Sequence, residues 1–347
     1  KFAKPKNEFL KIFNSTQQFL KAVSRHCTFH FQLPMWTLIS TILALPSILW
    51  LILYFVPILL TKILPAQNLK KKYEAEWALV TGGSSGIGKS LVIALAEQGF
   101  NVLIVALGGE LLDSTHSYME EKYSAQKFIK VGVNFSPGQD YMTAIGDATK
   151  DIDVQCIFNN AGYVVTGFFE SSPKAKQESN LECNAVAAVK ITHHFLSKML
   201  EKKLKGCIVF TSSAVAYLPS PFAAMYGATK GFITNLAGSL ASEVRCKRID
   251  ILAIHPSPVA TNFYTGLDHK ISLMEKASQG AMQPSMLPDV IFRSLGRVVW
   301  RDIGSFAIAM RVVTSVIPGS FMAWVAAVFA PYLPDYKNHD KARGIFK

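Results

Sequence analysis

From Trp77 onward, short apolar runs alternate with stretches of helical period, and this alternation limits the fold more than any other feature of the chain. Strands are expected at Trp77–Val80, Asn101–Leu107, Phe128–Val133, Cys156–Phe158, Ile208–Thr211 and Ile249–Ile254. Helices are expected at Leu91–Gln98, Lys174–Lys202 and Met225–Val244. Apolar strands separated by helices cannot pair as hairpins. They require a parallel sheet covered on both faces, so the reading is α/β with a doubly wound parallel sheet. Half of the 347 residues are apolar and only 17% are charged, which supplies a large core and excludes a disordered polar chain.

Two charge-free runs flank this body. Residues 27–61 contain no Lys, Arg, Asp or Glu. About 20 apolar residues cross a bilayer core, so the run predicts a transmembrane segment, with Trp36, Trp50 and Tyr54 as interface anchors. Pro46 and Pro57 are expected to kink it or end it early. It is too long for a secretory signal and has no small-residue cleavage site. Residues 1–26 read as a basic segment with Phe9, Ile12, Phe13, Phe19, Leu20 and Val23 on one face, either an interfacial helix or a partly ordered tail. Residues 62–76 read as a basic linker, 77–303 as the folded domain and 304–347 as an apolar C-terminal extension. In that extension 312–334 is again uncharged but broken by Pro318-Gly319. This piece reads as a membrane-dipping helix, a cap on the substrate mouth or a surface for a partner. The net charge is +12, and +7 of it lies in residues 1–76 beside the apolar run. That distribution favours a membrane surface over nucleic acid. Basic residues flank the run on both sides, so orientation stays open. The five cysteines form no CxxC pair, which excludes a zinc site and a disulfide framework; no metal is expected.

The segment Thr81-Gly82-Gly83-Ser84-Ser85-Gly86-Ile87-Gly88 sits between an expected strand and helix. A tight glycine turn there lets backbone approach a pyrophosphate at a helix N-terminus. Downstream, Tyr226 and Lys230 are four apart and share one helical face. A free phenol, with a pKa near 10, is a poor acid at neutral pH. An ammonium one turn away, together with an oxidised nicotinamide, is expected to lower it. Ser213, thirteen residues before Tyr226 at a strand end, can hold a carbonyl oxygen beside the phenol.

The glycine turn, Asn159-Asn160-Ala161-Gly162, Ser213 and the Tyr226/Lys230 pair stand in the order and spacing of the short-chain dehydrogenase/reductase family, which the chain resembles from roughly Trp77 to Arg301. The resemblance implies a Rossmann-type fold and hydride transfer between a nicotinamide cofactor and a carbonyl or alcohol. It implies Tyr226 as the acid, Lys230 as its pKa partner and ribose contact, and Ser213 as the carbonyl positioner. Asn184 matches the asparagine that holds a water in the proton relay. The implied cofactor contacts are Gly82, Ser84, Ser85, Gly86, Ile87, Gly88, Asn134, Asn160, Ala161, Gly162, Tyr226, Lys230, Pro256, Val259 and Thr261. Two departures stand out. Ala106-Leu107-Gly108-Gly109 offers neither the arginine of NADPH-using members nor the aspartate of NAD-using ones. Asn134 replaces the usual acidic adenine contact. NADP(H) is favoured over NAD(H) because no acidic residue follows Val105 to repel a 2′-phosphate.

The apolar N-terminal segment, the sequence GIGK and Leu218-Pro219 resemble the branch that contains very-long-chain 3-ketoacyl-CoA reductases and related 17β-hydroxysteroid dehydrogenases. That branch implies a lipid-like substrate, a lid over 262–283 bearing Phe263, Tyr264, Leu267, Ile271, Leu273, Met274 and Met282, and the endoplasmic reticulum membrane. Mitochondrial or plastid membranes stay open, as does a homodimer or a membrane-complex partner. The alternative is an accessory subunit that keeps the fold without catalysis. The blank cofactor selector favours it, and the complete Asn184, Ser213, Tyr226, Lys230 set opposes it.

Overall fold

The computed structural model describes residues 35–265, 267, 271, 272, 274, 275 and 279–343. The expected interfacial segment 1–26, residues 27–34 of the apolar run and Leu273 of the lid lie outside the described residues. The chain divides into two compact units, residues 1–56 and 57–347.

Helix α1 (Met35–Ile63) runs unbroken for 29 residues, so neither Pro46 nor Pro57 ends it. Within it, Ala44–Ile63 has a mean hydropathy of 2.1 and is long and apolar enough to cross a membrane. Its large apolar side chains face outward: Leu53 is 65% exposed and Ile63 70%. A soluble protein's helix would bury such a surface.

The second unit forms one seven-stranded sheet. Its elements follow in chain order: α2 (Leu69–Tyr73), β1 (Trp77–Thr81), α3 (Gly86–Glu97), β2 (Asn101–Ala106), α4 (Glu110–Lys122), β3 (Phe128–Gly132), α5 (Tyr141–Ala148), β4 (Val154–Asn159), α6 (Lys174–Leu181), α7 (Ala187–Glu201), β5 (Gly206–Thr211), α8 (Ala224–Val244), β6 (Ile249–Pro256), α9 (Leu287–Ser294), β7 (Trp300–Ile303), α10 (Ser305–Val316), α11 (Gly319–Phe329) and α12 (Pro334–Arg343). All pairings are parallel, in the order β3-β2-β1-β4-β5-β6-β7. Every residue of β1, β4 and β5 is buried, which is why these strands read as continuous apolar runs. Side chains alternate across the sheet. Ala78, Val80 and Leu91 pack on one face, while Leu79, Ile191 and Phe195 pack on the other. The segment read as a basic linker holds α2, whose Leu69 and Tyr73 are buried in the core.

The long helix expected over Lys174–Lys202 is interrupted. Residues Glu182–Val186 form a π turn between α6 and α7. Single π turns inside helices recur at functional sites, and Asn184 lies in this one.

Candidate active site

The strand order reverses between β1 and β4, and in sheets of this kind the crevice beyond the strand ends is where ligands bind. The glycine turn lies there. Gly82 N–H donates to the Val105 carbonyl at 2.7 Å, which fixes the turn against β2. Gly86 has φ +52°, and a Cβ added to it would lie 2.8 Å from the Thr261 methyl. A Cβ on Gly88 would lie 2.0 Å from the Gly82 carbonyl oxygen. The turn therefore holds bare backbone at the N-terminus of α3. Ser85 occupies the N-cap position without a side-chain cap hydrogen bond, so the first N–H groups of the helix remain available to an anion. This cradle fits a pyrophosphate.

A cleft of about 510 Å³ starts at this turn and is lined by Gly82, Ser85, Gly86, Ile87, Asn160, Ala161, Gly162, Ser213, Tyr226, Lys230, Pro256, Val259 and Thr261. Val164, Phe263, Tyr264, Leu267, Met274 and Phe306 make its far part apolar. Four of the expected residues do not line it. Ser84 is buried beneath the turn, its carbonyl accepting from Thr115 Oγ1 at 3.0 Å. Gly88 packs under Gly82. Asn134 is exposed beyond β3, where its Oδ1 accepts from Ser136 Oγ at 2.8 Å. Asn184 lies behind Gly162: a Cβ there would be 3.1 Å from Asn184 Oδ1 and 3.4 Å from Lys230 Nζ.

The four chemical residues converge from three places: the end of β5, the π turn and α8, which carries both Tyr226 and Lys230. Ser213 follows β5, and its hydroxyl lines the same cleft as the Tyr226 phenol. Burial pushes that phenol above the ordinary tyrosine value, and the Ser213 hydroxyl pulls it down. The downward pull expected from Lys230 is not found: burial dominates, and the Tyr264 phenol pushes the same way. The ammonium donates instead to the Thr211 carbonyl at 2.8 Å and lies 5.5 Å from the Tyr226 ring centroid. Burial lowers Lys230 itself to about 8. Asn184 Oδ1 accepts from Tyr163 N–H at 3.0 Å, and its amide donates to the Tyr163 carbonyl at 2.9 Å and to Thr229 Oγ1 at 3.3 Å. Its amide hydrogens are thus occupied by protein, and a second lone pair on Oδ1 remains for another donor.

Sequence reasoning missed several supporting groups. Thr81 Oγ1 accepts from the N–H groups of Asn160 and Ala161 at 2.9 and 3.0 Å, lacing the Asn160–Gly162 loop to β1. Beneath Lys230 a polar chain crosses the core. Ser212 Oγ donates to the Lys230 carbonyl and meets Thr234 Oγ1 at 2.7 Å; Thr234 Oγ1 meets His255 Nε2 at 3.1 Å. His255 Nδ1 and Asp302 Oδ1, on paired positions of β6 and β7, are 3.2 Å apart and both buried. Burial holds His255 below the ordinary histidine value. Asp302 also takes Arg311 Nε at 3.2 Å and the Tyr217 hydroxyl at 3.1 Å, and Arg311 stacks 3.6 Å from the Tyr217 ring centroid. The turn that starts after Ser213 is thereby clamped to α10. Asp302→Ala removes the carboxylate from a partly buried guanidinium and a buried imidazole. It is expected to cost about 3–5 kcal/mol of stability, read as a lower thermal unfolding midpoint. No motif announces these residues, because each pairs with groups far away in sequence.

Beyond β2, where the cofactor selector would sit, Leu107 is 68% exposed and Gly109 has φ +140°. Lys89 Nζ lies 5.2 Å from the Tyr118 ring centroid.

A dinucleotide cradle joined to a Ser, Tyr and Lys cluster on a parallel sheet defines a class of oxidoreductase. The chain belongs to that class: residues 76–272 match the short chain dehydrogenase family. Among curated relatives, a very-long-chain 3-oxoacyl-CoA reductase of Laccaria bicolor is 31% identical over 240 residues, covering 68% of this chain and 67% of that protein. Two other fungal reductases of the same name are covered over only 56% and 58% of their length. The human protein named inactive hydroxysteroid dehydrogenase-like protein 1 is 31% identical over 212 residues, covering 60% of this chain and 62% of that one. A solved structure of a 7β-hydroxysteroid dehydrogenase superposes with a TM-score of 0.63 at 25% identity, covering 71% of this chain and 93% of that chain.

Proposed function

We propose that this protein is a membrane-anchored reductase that transfers hydride from a nicotinamide dinucleotide, NADPH in preference to NADH, to the ketone of a lipid-like substrate of the 3-ketoacyl-CoA or steroid type. The observation that carries this reading is the Ser213–Tyr226 hydroxyl pair in one cleft with a glycine cradle on one side and an apolar wall on the other. Gly82, Ser85, Gly86 and Ile87 would hold the pyrophosphate, with Lys230 at the ribose and Pro256, Val259 and Thr261 at the nicotinamide. The bound dinucleotide supplies the hydride. Ser213 and Tyr226 then share the ketone oxygen, and Tyr226 gives it a proton as negative charge develops. Lys230 would provide the positive field that stabilises the phenolate, and Asn184 would hold a water through which a proton returns. The absence of a carboxylate at the end of β2 supports NADPH, and the absence of an arginine there makes the preference modest. The test is reduced-nicotinamide consumption by full-length protein with a long-chain 3-ketoacyl-CoA and with a 17-ketosteroid.

The pH profile follows from Lys230. Its folded value of about 8 lies below the ordinary lysine value. As pH rises through 8 the free enzyme loses the ammonium while Tyr226, raised by burial, keeps its proton. Ketone reduction is therefore expected to show an alkaline fall in kcat/KM centred near 8, a limb absent or displaced upward in Lys230→Arg. In the same window the unfolded chain binds a proton that the folded body does not, so folding stability rises with pH rather than falling.

The anchor is α1. A chain lacking residues 1–63 retains Leu69 and the rest of the core, and is expected to be released from membranes by alkaline carbonate, whereas the full-length protein resists. Release of the full-length protein would contradict the anchor. The endoplasmic reticulum is the membrane that the branch resemblance favours.

A second reading, a non-catalytic subunit, draws on the blank selector and on the relative named inactive. It leaves the convergence of Ser213, Tyr226, Lys230 and Asn184 without a purpose.

A further inference from the structure

Helices α10 and α11 carry an apolar surface that the body does not use. They meet at Pro318 with a bend of 107°. At 12 and 11 residues they are about 18 and 17 Å long, well short of a bilayer core of about 30 Å. The first half of α10 is built into the body: Ala307 is fully buried and Phe306 lines the cleft. Its second half emerges, with Val316 75% exposed. In α11 no residue is buried. Its small residues Ala323, Ala326 and Ala327, with Ala330 just after it, line the groove toward Leu218-Pro219 and Gly227, Ala228 and Gly231 of the body. Its large ones, Phe321, Trp324, Val328 and Phe329, face away and are 42–58% exposed. A helix in water does the reverse, burying its large apolar side chains.

We propose that α10 and α11 form a second, monotopic membrane contact, and that the apolar part of the cleft takes its substrate from the lipid phase there. The proposal rests on the reading above that α1 spans a membrane and that the cleft reduces a lipid-like ketone. Three observations select the bilayer as the occupant. Residues 64–68 are all that separate α1 from the buried Leu69, and five residues reach at most roughly 17 Å, so the body is held beside the membrane. Residues 312–334 contain no charge. Both flanks of the exposed segment also touch the substrate side of the cleft. Phe306 precedes it, and after it Tyr336 packs on Phe168 and Phe222 at ring centroid distances of 5.1 and 6.4 Å. Asp335 accepts from Ser272 N at 3.1 Å and from Ser272 Oγ at 2.6 Å, which ties the same end to the stretch that carries Ile271 and Met274. A segment that dips into lipid between Phe306 and Asp335 therefore brings the apolar end of the cleft, where Leu267 and Met274 lie, to the bilayer surface.

The test uses the full-length protein reconstituted in phosphatidylcholine vesicles. Tryptophan emission is compared between wild type and Trp324→Phe, so the difference isolates Trp324 from the tryptophans elsewhere. With brominated phospholipid the Trp324 component is expected to be quenched, and with aqueous iodide to be shielded. Iodide quenching without bromine quenching places Trp324 in water and overturns the proposal. Shielding from both quenchers places it against protein, such as a second copy of the chain, and also overturns it. The access route is read with Trp324→Lys. This variant is expected to lose on the order of tenfold in rate on a bilayer-embedded long-chain ketone, with dinucleotide binding and the rate on a short water-soluble ketone unchanged. Equal rates on the embedded ketone overturn the access claim. If wild type reduces no ketone at all, the functional reading fails, and the quenching result still decides the membrane contact.

Discussion

Tyr226→Phe is expected to lower the rate of ketone reduction by about 10²–10⁴-fold, the range for loss of one acid-base group, while folding and dinucleotide affinity survive. The argument is local. The substitution removes one hydroxyl and little volume. Ser213 is held by its own turn, where Val215 N–H donates to its hydroxyl, and Lys230 is held separately by the Thr211 carbonyl. Losing the hydroxyl therefore leaves the serine and the ammonium in place while removing the proton that the developing oxyanion needs. Steady-state kinetics should show the loss mainly in kcat. If Tyr226→Phe keeps most of the wild-type rate, the proton comes from elsewhere and the assignment is wrong.

Gly86→Val is expected to remove dinucleotide binding, with an affinity loss on the order of a hundredfold or more, equivalent to about 2.7 kcal/mol. Two effects combine. The residue has φ +52°, which a β-branched side chain rarely adopts, and its new Cβ would meet the Thr261 methyl at 2.8 Å. The valine also stands where a pyrophosphate would approach bare backbone. Calorimetric titration measures the loss, and the thermal midpoint without ligand separates it from unfolding. A variant that folds and binds as tightly as wild type would show that the pyrophosphate lies elsewhere.

The sheet was legible because its central strands are buried on both faces. Cys156–Phe158 was read too short because its neighbour Gln155 is polar. Gln155 is buried all the same, donating to the Tyr73 and Lys205 carbonyls. Strand β7 was not read at all: Arg301 and Asp302 make half of its four residues charged, and only the tertiary partners His255 and Arg311 explain why Asp302 can be buried. The helix at Lys174–Lys202 was legible as a period and its π turn was not, since that turn leaves no compositional trace. The Tyr226/Lys230 pair and the glycine turn were legible because their spacing is local, the pair one helical turn apart and the glycines close together. Phe306 at the substrate side was illegible because it comes from the C-terminal extension, outside every motif. Asn134 sits where the sequence placed it, exposed at the end of β3 and outside the lining of the cleft.

The claim that holds the account together is that the glycine cradle binds a dinucleotide. The most direct test is calorimetric titration of the full-length protein in detergent or vesicles with NADPH and, separately, with NADH. The account predicts saturable binding of one dinucleotide per chain, tighter for NADPH by a modest factor. Undetectable binding of both would contradict it and leave the non-catalytic subunit as the better reading.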